Sequence, residues 1–217
     1  EGHGIMGTVP LCGRGRKKRS GRALVIIPVD KKGMPSFDAD LLADIYYGLK
    51  ASGFSSIFSK TSKCNLADYI KSKNDHKLLR DPIAKQKLLD SQRIYHVKTL
   101  NFSVIVIVGG VSGNMSLVNH KDLNELIGRA YDEGTSLCAI GEGVAGFISP
   151  VNVQNKPIVQ GKKLIVEASS ISSNAKNVSE IREALSNLGA NIVSSGLKKY
   201  CQDKPFFTGG PNSWESI

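Results

Sequence analysis

Residues 101–146 read NFSVIVIVGGVSGNMSLVNHKDLNELIGRAYDEGTSLCAIGEGVAG. Phe102–Val108 is an unbroken apolar run rich in β-branched residues, as expected of a strand buried on both faces, and it runs into Gly109-Gly110. Over Asp122–Glu133, Leu123, Leu126, Ile127 and Ala130 recur at helical spacing, and Gly134 supplies the stop. Thr135–Ile140 is a second buried strand, ending in the Gly-Glu-Gly turn 141–143. A strand, a helix and a strand joined this briefly form a parallel crossover unit.

The flanking sequence repeats the pattern. Arg22–Val29 (RALVIIPV) predicts a buried strand. A helix over Asp40–Ser52 follows, capped by Ser36 or Asp38, carrying Leu41, Leu42, Ile45 and Leu49 inward and closing at Gly53. Phe54–Ser59 predicts a short strand. Lys60–Lys98 is polar and Lys-rich, with weak helical patterns at Leu66–Lys71 and Ile83–Leu89, the latter started by Asp81-Pro82. Further on, Leu164–Ala168 predicts a strand, Ser179 caps a helix over Glu180–Leu188 that ends at Gly189, and Asn191–Ser194 starts another strand. The expected class is α/β, a mostly parallel sheet sandwiched by helices.

At 217 residues one core is the simplest organisation, with residues 1–22 as a basic tail and 23–217 as the domain. No apolar run approaches the ~20 residues that a membrane span needs. Four cysteines, Cys12, Cys64, Cys138 and Cys201, form no C-x-x-C pair, and the four histidines are scattered. No metal site and no cofactor are therefore expected, and a reducing intracellular compartment is. The formal net charge is +10, and Arg14, Arg16, Lys17, Lys18, Arg19 and Arg22 concentrate part of it in one glycine-rich stretch. That stretch has no apolar period and cannot fold alone. It is either a solubilising arm or a dock for RNA, another phosphate-rich surface or an acidic protein. Interleaved aromatics that would stack bases are missing. An Arg-rich, acid-poor beginning without an initial Met is what a transit peptide leaves behind, so the mitochondrial matrix or the cytoplasm is the expected location.

In such a sheet, ligands collect at the carboxyl ends of the strands. Gly109-Gly110 ends one strand with backbone amides able to face an oxyanion. Ala139-Ile140-Gly141-Glu142-Gly143 ends the next in a strand–turn–helix elbow, which displays its central residue in a strained conformation. Gly109, Gly110, Gly141 and Glu142 are the expected pocket lining. At these residues the chain resembles the ThiJ/PfpI branch of the class I glutamine amidotransferase-like superfamily, whose flavodoxin-like domains carry Gly-Gly and then Ala-Ile-Cys-His-Gly. Gly161-Lys162-Lys163 and Phe207–Ser213 (FTGGPNS) extend the likeness. The family's usual last helix would start near Trp214, so the C-terminal end is expected to be incomplete, and the resemblance also implies a homodimer as one assembly.

The departures define the functional expectation. Gly141 stands where the resemblance places the nucleophilic cysteine, Glu142 where it places the histidine. Counting back from Gly53 puts Leu41 at the acidic partner, with Asp40 adjacent but pointing elsewhere. Covalent catalysis needs an activated nucleophile with a base in reach. Among substitutes, Cys138 sits inside a buried strand and is expected to be structural. Glu142 serves either as an acid or base or as a helix-entry cap. Ser112, Asn114 and Ser116 line a polar pocket or simply form a loop. His120 is expected to be exposed. Three functions remain: a non-catalytic interaction subunit, a hydrolase or glyoxalase with a relocated active residue, and a small-molecule or nucleic-acid binding module.

Overall fold

Alternation along β1 (Arg22–Ile27) sends Leu24 and Ile26 to one face of a sheet and Ala23, Val25 and Ile27 to the other; all five are fully buried. A strand with both faces buried requires helices on each side, and the computed structural model has them. It describes residues 21–35, 37–73, 76–110, 114–168, 175–194 and 199–210. Helices α1 (Ala39–Ala51), α2 (Leu66–Lys73), α3 (Lys77–Arg80) and α4 (Pro82–Leu89) cover the Val25 face. The Leu24 face is covered by α5 (Ile94–Val97), α6 (Lys121–Asp132), α7 (Ala175–Asn187) and a 3-10 turn at Gly141–Phe147.

The sheet has seven strands. From one edge, β3 (Gln92–Arg93), β2 (Ser55–Lys60), β1, β4 (Val104–Ile107), β5 (Ser136–Ile140) and β9 (Phe206–Gly209) run parallel, and β8 (Tyr200–Asp203) closes the other edge antiparallel to β9. The expected α/β sandwich and its central strands are present. Several local expectations are corrected. Leu164–Ala168 and Asn191–Ser194 contribute only β6 (Lys163–Leu164) and β7 (Asn191–Ile192), which pair in a separate two-stranded sheet. Their place beside β5 is taken by β9, whose Phe206 packs edge-on against Phe147 with ring centroids 5.0 Å apart. Helix α7 starts at Ala175, so Ser179 lies inside it rather than capping it; Val178, Ile181 and Leu185 on its inner face decide the span. The polar stretch 60–98 holds α3, β3 and α5 besides the two helices expected. Arg22 is not part of a tail but the first residue of β1, paired with Ser55, its guanidinium 5.8 Å from the Phe102 ring. Arg14, Arg16, Lys17, Lys18 and Arg19 lie outside the described residues.

Of the two candidate caps for α1, Asp38 is the one that works, accepting from Asp40 N at 2.8 Å and Leu41 N at 3.3 Å; Ser36 lies outside the described residues. A second capping carboxylate ties two helices together. Asp81 Oδ1 accepts from Ile83 N (2.9 Å) and Ala84 N (3.2 Å), while Oδ2 accepts from the Tyr47 hydroxyl of α1 (3.0 Å). The Ala84 amide, then the Tyr47 hydroxyl and Ile83 amide, hold the Asp81 carboxyl below its ordinary range. Burial, then the bond to Asp81, pushes the Tyr47 phenol up to about 12.

The sign of the pH effect follows. A depressed carboxyl stabilises the fold above the unfolded pKa, and this is lost as pH falls through the lowered value. Urea midpoints should therefore drop more steeply on acidification for the native chain than for Asp81→Asn, which keeps a capping oxygen but cannot titrate. Parallel curves would remove Asp81 from the acid response.

Candidate functional site

Glycine dominates three adjacent strand ends. Ile107 pairs with Ala139, and Ile140 with Gly209. Continuing that register brings Gly109 of the β4 end and Gly210 of the β9 end to either side of Gly141, and all three are buried. Ile140 is extended (φ −114°, ψ 128°), and the next residue, Gly141, turns over at φ +58°. The elbow therefore retains the left-handed backbone in which a displayed side chain would be strained, but displays none.

The segment after the elbow is a 3-10 turn of seven buried residues rather than the helix expected from the sequence. Its tightness comes from its footing on β4. A Cβ on Gly143 would lie 2.5 Å from the Ile107 carbonyl oxygen, and one on Gly146 the same distance from Ile107 Cδ1. The first obstacle is backbone and cannot move aside. Glu142 is carried within this turn and is 1% exposed, so it faces the protein interior rather than an open cleft.

The position that the resemblance assigns to the acid is equally clear. Leu41 is buried in the α1 core with Leu42 and Ile45. Asp40 points outward, its side chain 84% exposed, and meets His76 at 2.8 Å. Cys138 is buried in β5 within the α1-side core cluster. Ser112 lies outside the described residues, and Ser116 is half-buried in a short 3-10 turn at Asn114–Leu117. His120 is not an exposed residue. It caps α6, with Nδ1 accepting from Leu123 N (3.2 Å) and Nε2 donating to the Thr61 carbonyl (2.8 Å). The Thr61 hydroxyl in turn holds both the amide and the carbonyl of Val29 at 2.7 Å. Through His120, α6 is laced to the carboxyl ends of β2 and β1.

One carboxylate beside the elbow has no signature in the sequence. Glu167 follows β6, and a Cβ added to Gly210 would run into its Oε2. The segment is fixed by Ile165 N donating to Thr208 Oγ1 (2.9 Å) and by the Arg182 guanidinium, whose Nε and Nη2 reach the Val166 carbonyl at 3.0 and 2.7 Å. Only the three-dimensional crossing of two distant segments places Glu167 there. The arrangement thus offers glycine backbone, the Glu167 carboxylate against Gly210, and a buried carboxylate, Glu142, within the turn, with no nucleophilic side chain on residues 141, 143 or 210.

Two surface grooves lie away from this point. One, of about 620 Å³, is lined by Lys60, Lys63, Gln92, Arg93 and His96; the other runs along α6 beside Val151 and Val153.

No family model matches the chain, and no curated protein matches it. Solved structures do. Glyoxalase III from Candida albicans superposes with a TM-score of 0.68 at 15% identity, covering 90% of this chain and 93% of that one. A ThiJ/PfpI domain protein from Brachyspira murdochii gives 0.58 at 15%, covering 90% of each. Drosophila melanogaster DJ-1beta gives 0.58 at 16%, covering 91% and 86%. The chain has the ThiJ/PfpI and DJ-1 fold over nearly its whole length.

Because Gly141 sits at φ +58°, Gly141→Ala and Gly141→Cys should each destabilise by about 1–3 kcal/mol. Gly143→Ala should cost more, since the Ile107 backbone blocks it. Denaturant melts check both, and a neutral Gly141→Ala would show that the turn relaxes when substituted.

Proposed function

We propose that this chain is a non-catalytic ThiJ/PfpI-like domain that serves as an interaction subunit of a larger assembly. The observation that carries the reading is Gly141, a residue with no side chain at the elbow's left-handed position. Buried, apolar Leu41 at the acid's place supports it. Strain is tolerated at an active site because the displayed group needs it. A glycine there keeps the turn without the strain, as suits a protein that retains the scaffold and not the reaction. The basic segment Arg14–Arg19, without Arg22 of β1, is the docking arm in this reading, and its target is an anionic partner such as RNA or an acidic protein face. In this reading the chain works in a reducing compartment, the mitochondrial matrix or the cytoplasm. No helix among the described residues is long and apolar enough to cross a membrane.

A second reading has one observation in its favour. Glu167 lies against Gly210 and Glu142 is buried in the turn that begins at Gly141, and carboxylates beside glycine-lined strand ends are able to move protons without a thiol. That chemistry would make the chain a hydrolase or glyoxalase with a relocated active residue, and it predicts turnover lost in Glu142→Gln or Glu167→Gln.

The native chain should show no glyoxalase, deglycase or amidase turnover. Gly141→Cys alone should not create any, because a thiol without a tuning neighbour is mostly protonated at neutral pH. Turnover that scales with protein and disappears in either carboxylate variant would overturn the non-catalytic reading.

The arm is tested separately. Removing residues 1–20 should leave the melting temperature nearly unchanged while the domain shifts from a large to a small species when sedimented with native extract at low salt. Salt should release the full-length chain in the same way, steeply if phosphates are the target. Identical migration of both forms at low salt would reduce the arm to a solubilising extension.

A further inference from the structure

The larger surface groove lies at the carboxyl ends of β2 and β3, where open α/β sheets receive ligands. Lys60 and Arg93 are the last residues of these strands and pair in register; Lys63 follows β2, and His96 comes from α5. Four nitrogen-bearing side chains converge there with Gln92, and no carboxylate lines the groove. Among the described residues, none of the four forms an ion pair with an acid. Lys98, by contrast, meets Asp122 and Glu125 at 2.8 and 2.7 Å.

Like charges gathered without counterions repel one another, and folding alone gives no reason to collect them. Protection of an exposed sheet edge is the competing explanation. It accounts for Arg93 on β3 but not for Lys60, which belongs to the inner neighbour β2, is half-buried and is held at the groove by donating to the Cys64 carbonyl at 2.7 Å. Burial lowers the Lys60 pKa, so an anion beside it would recover interaction that the desolvated ammonium lacks.

We propose that this groove binds a small molecule bearing a mono- or diphosphate group, held by Lys60, Lys63 and Arg93, with His96 and Gln92 supplying further donors. An arginine fork with two ammonium groups suits phosphate oxygens. The volume, about 620 Å³, falls in the range of small-ligand sites. The only ring among the lining residues is the His96 imidazole, with no Phe, Tyr or Trp to build a stacking platform, which favours a small phosphate ester over a nucleic-acid strand. The site is separate from the elbow and stands whether or not Gly141 marks a retired active centre.

The test titrates the full chain with inorganic pyrophosphate at fixed ionic strength, by calorimetry and by amide chemical shifts. The native chain should bind one equivalent saturably, with shifts centred on residues 60–64 and 92–96. Lys63→Gln with Arg93→Gln should weaken binding about tenfold or more, Lys63→Arg should retain it, and a chain with Arg16, Lys17, Lys18 and Arg19 replaced by Gln should bind like the native one. The groove residues exchanged are exposed, so an unchanged melting temperature confirms that the variants fold. Absence of saturation by about 10 mM, or loss of binding in the tail variant but not in the groove variant, would overturn the proposal. So would a single-stranded oligonucleotide that binds through Lys63 and Arg93 where pyrophosphate does not.

Discussion

The contact on which the functional region depends is a backbone-to-backbone approach: the turn after β5 rests on the Ile107 carbonyl with no room for a Cβ at Gly143. This footing brings Val144, Ala145 and Phe147 into the core beneath α6 and α7, and it fixes the direction in which the chain leaves β5. The geometry of the elbow is therefore a property of packing rather than of chemistry. A chain can lose the reactive side chain at the apex and still keep the bend, because the bend is held two residues later. That separation explains how Gly141 holds the left-handed region with no side chain of its own to display.

The sequence makes the interior of the sheet legible and its margins obscure, for one physical reason. β1, β4 and β5 are buried on both faces, and their apolar runs have no other explanation. β3 is two exposed residues, Gln92 and Arg93, and carries no apolar signature at all. β9 was hidden differently. Phe206 and Phe207 follow Pro205 and precede a Gly-Gly pair, so local chemistry reads as a loop, and only pairing with Leu137–Ile140 makes a strand of it. The reverse error occurred at Ser179, a good capping residue that sits inside α7 because the apolar spacing of Val178, Ile181 and Leu185 outweighs it.

Legibility of the candidate site divides along the same line. Gly141 and Leu41, which the resemblance sets against the family's nucleophile and acid, are single-position readings and stand in the sequence. The burial of Glu142 and the capping role of His120 are not, since both follow from a 3-10 turn and a contact with Thr61 that no local pattern announces. Glu167 and the Lys60–Arg93 groove likewise join residues brought together by strand register and by the crossing of remote segments.

The position of the β8–β9 hairpin has a consequence for how the chain comes off the ribosome. β9 lies directly beside β5, and its Phe206 fills the surface that Phe147 and Tyr131 present. Synthesis delivers β5 and the elbow long before residues 200–209 emerge. Through that interval the far side of β5 is an open strand edge flanked by uncovered aromatic surface, the combination most prone to pair with another nascent chain. The domain cannot complete its sheet by growing outward from its beginning. It must hold a gap open for β9, which makes the interval before residues 200–209 emerge the moment when a chaperone would matter most to this fold.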